Sequence, residues 1–132
     1  MFFSRKPQPP IRTLVGEGTI LRGELRFSDG LRIDGEIHGD VIADPVAGSL
    51  LVISEKARVH GKVNAAHVII GGSVRGAVGA SETLELQPRA SVVGDVRYEV
   101  LEMHPGATID GKLQPLKPTD KPALKLAVAN DA

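Results

Sequence analysis

Cysteine and tryptophan are absent from this 132-residue chain, and its aromatic complement is three Phe and one Tyr. Without cysteine there is no disulfide framework and no thiol-based zinc or nucleophilic site, a composition that suits a reducing cytoplasm. With so few aromatic side chains, a core drawn from 42% hydrophobic residues must be aliphatic and thin. An excess of one charge is lacking too. Sixteen basic and sixteen acidic side chains cancel, so the whole chain has no electrostatic footprint for nucleic acid. No apolar run approaches the roughly 18 residues that a membrane-spanning helix needs, and no signal-peptide pattern opens the chain. A cytoplasmic domain with no nucleic-acid partner is expected.

Glycine is abundant, with fifteen residues and no collagen triplet, and it recurs within a repeat. Residues 51–63, LVISEKARVHGKV, return as LELQPRASVVGDV at 84–96 and as LEMHPGATIDGKL at 101–113. Each copy places apolar or small residues at the same offsets: Leu51, Ile53, Ala57, Val59, Gly61 and Val63; Leu84, Leu86, Ala90, Val92, Gly94 and Val96; Leu101, Met103, Ala107, Ile109, Gly111 and Leu113. A degenerate copy, Val68, Ile70, Gly72, Val74, Gly76 and Val78, lies between the first two and is two residues shorter in its turn. The starts at 51, 68, 84 and 101 are thus 17, 16 and 17 residues apart. Two upstream fragments carry the same ending, Leu21-Arg22-Gly23-Glu24-Leu25 and Ile33-Asp34-Gly35-Glu36-Ile37. About six units share one design, the signature of a repeat architecture.

Inside each unit the period is two, which is a strand signature and not a helical one. Ala57, Val59, Gly61 and Val63 share one face, and Arg58, His60, Lys62 and Asn64 share the other. A unit of 16 to 18 residues holds three short strands and three corners, one winding of a triangular solenoid. At about 4.8 Å between neighbouring strands, six windings make a rod roughly 29 Å long. The recurrent glycines, assigned as Gly35, Gly61, Gly76, Gly94 and Gly111, mark either a bend at a corner or an interior too narrow for a side chain. Both roles are architectural. The outward columns beside them read Arg22, Asp34, His60, Arg75, Val93 and Asp110 on one side, and Glu24, Glu36, Lys62, Ala77, Asp95 and Lys112 on the other. Mixed signs of this kind limit repulsion between stacked windings.

Catalytic and ligand-binding patterns are weak. Gly16-Glu17-Gly18 resembles part of a dinucleotide fingerprint, but no helix pattern follows it. Acidic groups crowd at Asp34, Glu36, His38 and Asp40, yet they lie on the solvent side of ordinary alternation and no calcium-binding nonapeptide is present. His38, His60, His67 and His104 lack zinc-binding spacing and stand beside no recognisable nucleophile. A hexapeptide-repeat acyltransferase also stacks parallel windings, but of the glycine spacings after Gly35, which are 26, 15, 18 and 17, only 18 is a multiple of six. No enzyme activity, cofactor or metal is expected.

Outside the repeats the chain changes character. Residues 1–14 read as a disordered arm with a Pro7-Gln8-Pro9-Pro10 break, incompatible with helix or central strand. Its Phe2, Phe3, Arg5 and Lys6 make a candidate membrane anchor, rings entering the interface and cations meeting anionic headgroups. Residues 15–114 form the expected solenoid domain. Residues 115–132, opening with three prolines in eight residues, read as a disordered tail.

Across residues 16–113 the chain resembles the bactofilin family of bacterial polymer-forming cytoskeletal proteins. The resemblance rests on Gly23, Leu25 and Phe27 in the opening strand, on LRIDGEIHGD at 31–40, and on the ordered series of Ala-x-apolar-x-Gly units. Where the family's C-terminal windings often carry an aromatic residue, this chain has Ile109. The resemblance implies an all-β, right-handed parallel β-helix that polymerises end to end without nucleotide. It also implies a place under the cytoplasmic membrane, with cell-wall enzymes or polar proteins as cargo. No capping helix is visible, so the first windings, with Leu21, Leu25 and Phe27, and the last, with Met103, Ile109 and Leu113, are the expected polymer interface. A monomeric solenoid that displays its flat faces to a partner is the alternative.

Overall fold

Short runs that alternate aliphatic and polar residues make strands buried on one side only. The computed structural model describes residues 9–45 and 48–116, and every regular element among them is a strand. The strands fall into three files of six, one for each flat face of a triangular solenoid. The first face holds β1 (Ile11–Val15), β4 (Gly30–Ile33), β7 (Leu50–Ile53), the later halves of β9 (Val63–Ile70) and β11 (Val78–Leu86), and β14 (Val100–Met103). The second holds β2 (Ile20–Arg22), β5 (Glu36–His38), β8 (Arg58–His60), β10 (Ser73–Arg75), β12 (Ser91–Val93) and β15 (Thr108–Asp110). The third holds β3 (Leu25–Phe27), β6 (Val41–Ala43), the opening halves of β9 and β11, β13 (Val96–Tyr98) and β16 (Leu113–Pro115). All pairings are parallel, each strand bonding to its counterpart one winding on.

Parallel register turns the sequence pattern into continuous columns. Leu21, Ile37, Val59, Val74, Val92 and Ile109 stack behind the second face, and Leu25, Val41, Val63, Val78, Val96 and Leu113 behind the third. Within the four inner windings every one of these is buried. Each such side chain contributes roughly 1.5–3 kcal/mol relative to exposure, an upper bound because unfolded chains also bury some surface. Among the described residues Ser49 is the buried polar one, and its Oγ accepts the Ala66 N–H at 2.8 Å.

The expected repeat is the one that folds. Leu51, Val68, Leu84 and Leu101 share one row, so the degenerate copy is a full winding. The second winding needs a correction. Its corner glycine is Gly39 and not Gly35, because Gly23 donates its N–H to the His38 carbonyl at 2.9 Å and Leu25 donates to Asp40 at 2.8 Å. The ending that stacks is therefore Ile37-His38-Gly39-Asp40-Val41, which overlaps the Ile33-Asp34-Gly35-Glu36-Ile37 fragment read from the sequence. Gly35 sits one corner earlier, against the Gly16 and Thr19 carbonyls, as Gly72 sits against those of Ser54 and Ala57. The outward column beside the corner becomes Arg22, His38, His60, Arg75, Val93 and Asp110, and its first four members are basic or imidazole side chains rather than mixed in sign.

Glycine turns the corner between the second and third faces in every winding, at Gly23, Gly39, Gly61, Gly76, Gly94 and Gly111. The carbonyl of each presses on the next: a Cβ on Gly76 would fall far inside van der Waals contact with the Gly61 oxygen. The recurrent glycine answers to both a bend and a lack of room, with positive φ at Gly23, Gly39, Gly61, Gly76 and Gly94, but the crowding comes from the neighbouring winding's backbone at the corner rather than from a narrow interior. Asp40 and Asp95, each following its corner glycine, reach up one winding and accept the N–H of Lys62 and Lys112 at 2.9 Å.

At the corner where the chain climbs to the next winding, the connection varies in length. In β9 and β11 the strand runs through it unbroken, whereas residues 44–49 separate β6 from β7. The ladder also exceeds its expected limits. It begins at Ile11 rather than residue 15, and it continues to Leu116, whose N–H donates to the Tyr98 carbonyl at 2.6 Å.

Candidate polymerisation interface

An inner winding satisfies its backbone groups from both neighbours, but an end winding has an open edge. Among the described residues β1, β2 and β3 pair on one side only, with β4, β5 and β6, while β14, β15 and β16 pair only with β11, β12 and β13. The six side chains expected at the interface lie on these two windings, three at each end. Leu21, Leu25 and Phe27 are half-buried over Ile37, Val41 and Ala43. At the far end Ile109 is half-buried over Val92, while Met103 and Leu113 are 43% and 46% exposed. In the same column as Ile109, Val59 and Val92 are each 1% exposed. One column thus goes from sealed to open as it reaches an end.

Sequence reasoning missed four further apolar residues there. Ile11, Leu14 and Ile20 are exposed on the first winding and Val100 on the last, so the two end windings hold every large exposed hydrophobic residue among the described residues except Val93. Leu14, Ile20 and Val100 share rows with Arg32, Glu36 and Thr83, on the outward side of their strands. Parity alone does not single them out, because Ile42, Val52 and Ile69 occupy the same outward side on inner windings and are only half-buried there.

Some of the charges near the ends are locally paired. Arg12 meets Asp29 at 3.1 Å and Arg26 meets Glu24 at 2.8 Å beside the first winding, while His104 lies 3.2 Å from Glu85 and 3.3 Å from Glu102 at the last. Exposed pairs of this kind contribute little stability. On the middle windings, a side-chain hydrogen bond from Ser54 holds the Asp34 carboxyl below its ordinary range, outweighing the opposing effect of burial with help from Arg32 and Lys56. The histidines face outward. His38 and His60 stack on each other with ring centroids 4.8 Å apart, and His67 approaches Glu82 at 3.5 Å. Phe2, Phe3, Arg5 and Lys6 lie outside the described residues, as does the tail from residue 117. Among the described residues no helix is long and apolar enough to cross a membrane.

Comparisons with known proteins agree with this architecture. A family model described as bactofilin, polymer-forming cytoskeletal, matches residues 13–114. Bactofilin BacP of Myxococcus xanthus (strain DK1622) is 26% identical over 118 residues, which cover 88% of this chain and 48% of BacP. The chain thus spans about half the length of that relative. Bactofilin BacO of the same organism is 25% identical over 111 residues, 84% of this chain and 85% of BacO. A cryo-EM reconstruction of Thermus thermophilus bactofilin double helical filaments contains a similar chain, with a TM-score of 0.73 and 28% identity over 80% of this chain and 100% of that one. The family is a structural one, in keeping with a chain whose recurrent residues serve corners and core rather than catalysis. Six stacked windings, a corner glycine in each and a family match across nearly all of the ladder identify the chain as a member of the bactofilin family.

Proposed function

We propose that this chain is a cytoskeletal scaffold subunit that stacks end to end into filaments without nucleotide, at the inner face of the cytoplasmic membrane, where it localises cell-wall or cell-shape proteins. The observation that carries this reading is the concentration of exposed apolar side chains on the two end windings, next to open strand edges. Stacking covers both at once: the edge gains ladder hydrogen bonds and the end of the core gains an apolar neighbour. The family's description as polymer-forming and the filaments of the Thermus relative support the same reading. Because a stacked end presents another open end, assembly continues as a rod instead of closing.

Membrane attachment rests on the arm. Phe2 and Phe3 would contribute roughly 1.5–3 kcal/mol each on entering the interface, and Arg5 and Lys6 about 1 kcal/mol each beside anionic lipid. A single subunit then binds reversibly. A filament carries many arms at high effective concentration, so attachment becomes stable on assembly.

Sedimentation and negative-stain microscopy test the polymer. Wild-type protein should pellet as filaments, and Ile109→Asp or Leu113→Asp should give folded, soluble short species. Undiminished filaments in those variants refute end stacking, and a wild type that stays monomeric at high concentration leaves the monomeric binding solenoid as the answer. Liposome flotation of four proteins, with and without residues 1–6 and with and without Leu113→Asp, tests the arm. Flotation should require both the arm and assembly.

A further inference from the structure

The register of the second winding places two imidazoles on adjacent rungs of the second face. His38 and His60 are direct partners in the β5–β8 ladder, their rings 4.8 Å apart and 20° from parallel. Glu36 precedes His38 by two residues on the same outward side of β5, and its Oε2 lies 2.6 Å from His38 Nε2. One donor atom from each of Glu36, His38 and His60 lies within 4.8 Å of the other two. A tetrahedral ion with metal–ligand bonds of about 2.0–2.2 Å holds its donors about 3.3–3.6 Å apart. Closing the site therefore asks for movements of about 1.5 Å or less, at side chains with solvent on one side. The two rings must turn out of their stack for both lone pairs to meet one ion.

We propose that Glu36, His38 and His60 form a binding site for a divalent transition metal of the zinc and copper class, joining the second winding to the third. Two imidazoles and one carboxylate suit borderline metals, whereas calcium and magnesium require a shell of oxygens that this face does not offer. Water completes the coordination on the solvent side. A metal on His38 Nε2 requires the tautomer that carries its hydrogen on Nδ1, and Glu36 Oε2, now 2.6 Å from that Nε2, then turns to the ion as a ligand. Arg22 and Arg75 occupy the rungs on either side, and Arg58 shares a row with Glu36. Their charge opposes a cation, so this open three-ligand site binds more weakly than a closed four-ligand one. The metal bridges the widest gap in the ladder. His38 and His60 are 22 residues apart, against 15 to 18 for other successive partners on this face.

A second group, Glu85, Glu102 and His104, is equally compact but supplies a single imidazole, which makes it an internal control. Titration calorimetry with zinc chloride on the full chain should show one ion per subunit. Affinity should fall at least tenfold in His38→Ala and in His60→Ala and change less than twofold in His104→Ala. Zinc should raise the melting temperature of wild type and of His104→Ala alone, since the unfolded chain does not hold the two histidines together. Should the alanine variants fold poorly, wild-type protein suffices: zinc should protect His38 and His60 from carbethoxylation, read by peptide mass spectrometry, and leave His104 reactive. Absent wild-type binding, binding that survives His60→Ala, or protection centred on His104 overturns the proposal.

Discussion

The glycine ladder makes a quantitative claim at Gly76. Its Cβ would meet the Gly61 carbonyl oxygen, carbonyl carbon and Cα, all backbone atoms, so no side chain can swing aside to admit it. The fourth winding has to lift from the third at that corner. Lifting stretches the bonds from Gly61 N–H to the Arg75 carbonyl and from Val63 N–H to the Ala77 carbonyl, each now 2.9 Å. Two neutral backbone bonds are worth about 1 kcal/mol each, and a side chain at φ 153° adds about 1–3 kcal/mol of strain. Gly76→Ala should therefore cost about 3–5 kcal/mol, a large share of the roughly 5–15 kcal/mol of a typical domain. Gly18→Ala is the matched control, because Gly18 also has positive φ, 91°, but nothing lies within 4 Å of its Cβ position. It should pay the strain alone, about 1–3 kcal/mol, and so fall about 2 kcal/mol short of Gly76→Ala. Urea unfolding followed by circular dichroism, at one protein concentration because assembly shifts apparent stability, compares the two. A Gly76→Ala protein within about 1 kcal/mol of Gly18→Ala would show that the corner can open freely and that the stacked carbonyls do not constrain it.

Other consequences are simpler to state. Val59→Asp and Val92→Asp bury an unpaired carboxylate in the aliphatic column and should each cost at least about 4 kcal/mol; a near-wild-type cooperative melt in either would refute the burial assigned to it. Asp95→Ala removes the acceptor of the Lys112 N–H, so it should destabilise by about 1 kcal/mol and speed amide exchange at Lys112 ahead of the inner windings. Asp34 is held below its ordinary pKa in the folded state, so it stabilises the fold above its unfolded pKa and loses that contribution as pH falls toward the folded value. Asp34→Asn should therefore flatten the acid limb of the stability curve and leave its shape above pH about 6 unchanged; an identical acid limb counts against the Ser54 and Arg32 contacts.

From residue 51 onward the sequence was legible almost row by row, because Leu51, Val68, Leu84 and Leu101 carry one pattern with little change in spacing. The second winding was misread for a physical reason. Leu31, Ile33, Gly35, Ile37, Gly39 and Val41 have the same spacing as Val68, Ile70, Gly72, Val74, Gly76 and Val78, so that winding also has the short turn and offers two glycines of equal local merit. Only the partner strand decides between them. That one-corner shift, four residues long, hid the His38–His60 pair, since Asp34 had been placed in the histidine's row. The end residues Leu21, Leu25, Phe27, Met103, Ile109 and Leu113 were found from the pattern alone, whereas Leu14, Ile20 and Val100 were not, because apolar residues on the outward side are conspicuous only once the outermost windings are known.

The climbing corner has a consequence for how such a chain tolerates change. A connection there can have no residues, as in β9 and β11, or six, as at 44–49, and the rows on either side still meet. The ladder counts rungs, not residues. An added segment at this edge leaves the core composition, the three faces and the rod's length untouched, which fits a solved relative that keeps the architecture at 28% identity. A peptide grafted between Asp44 and Ser49 would leave the body sideways, away from both open ends, and the proposed filament would present it once per subunit as a regular lattice of tethering points.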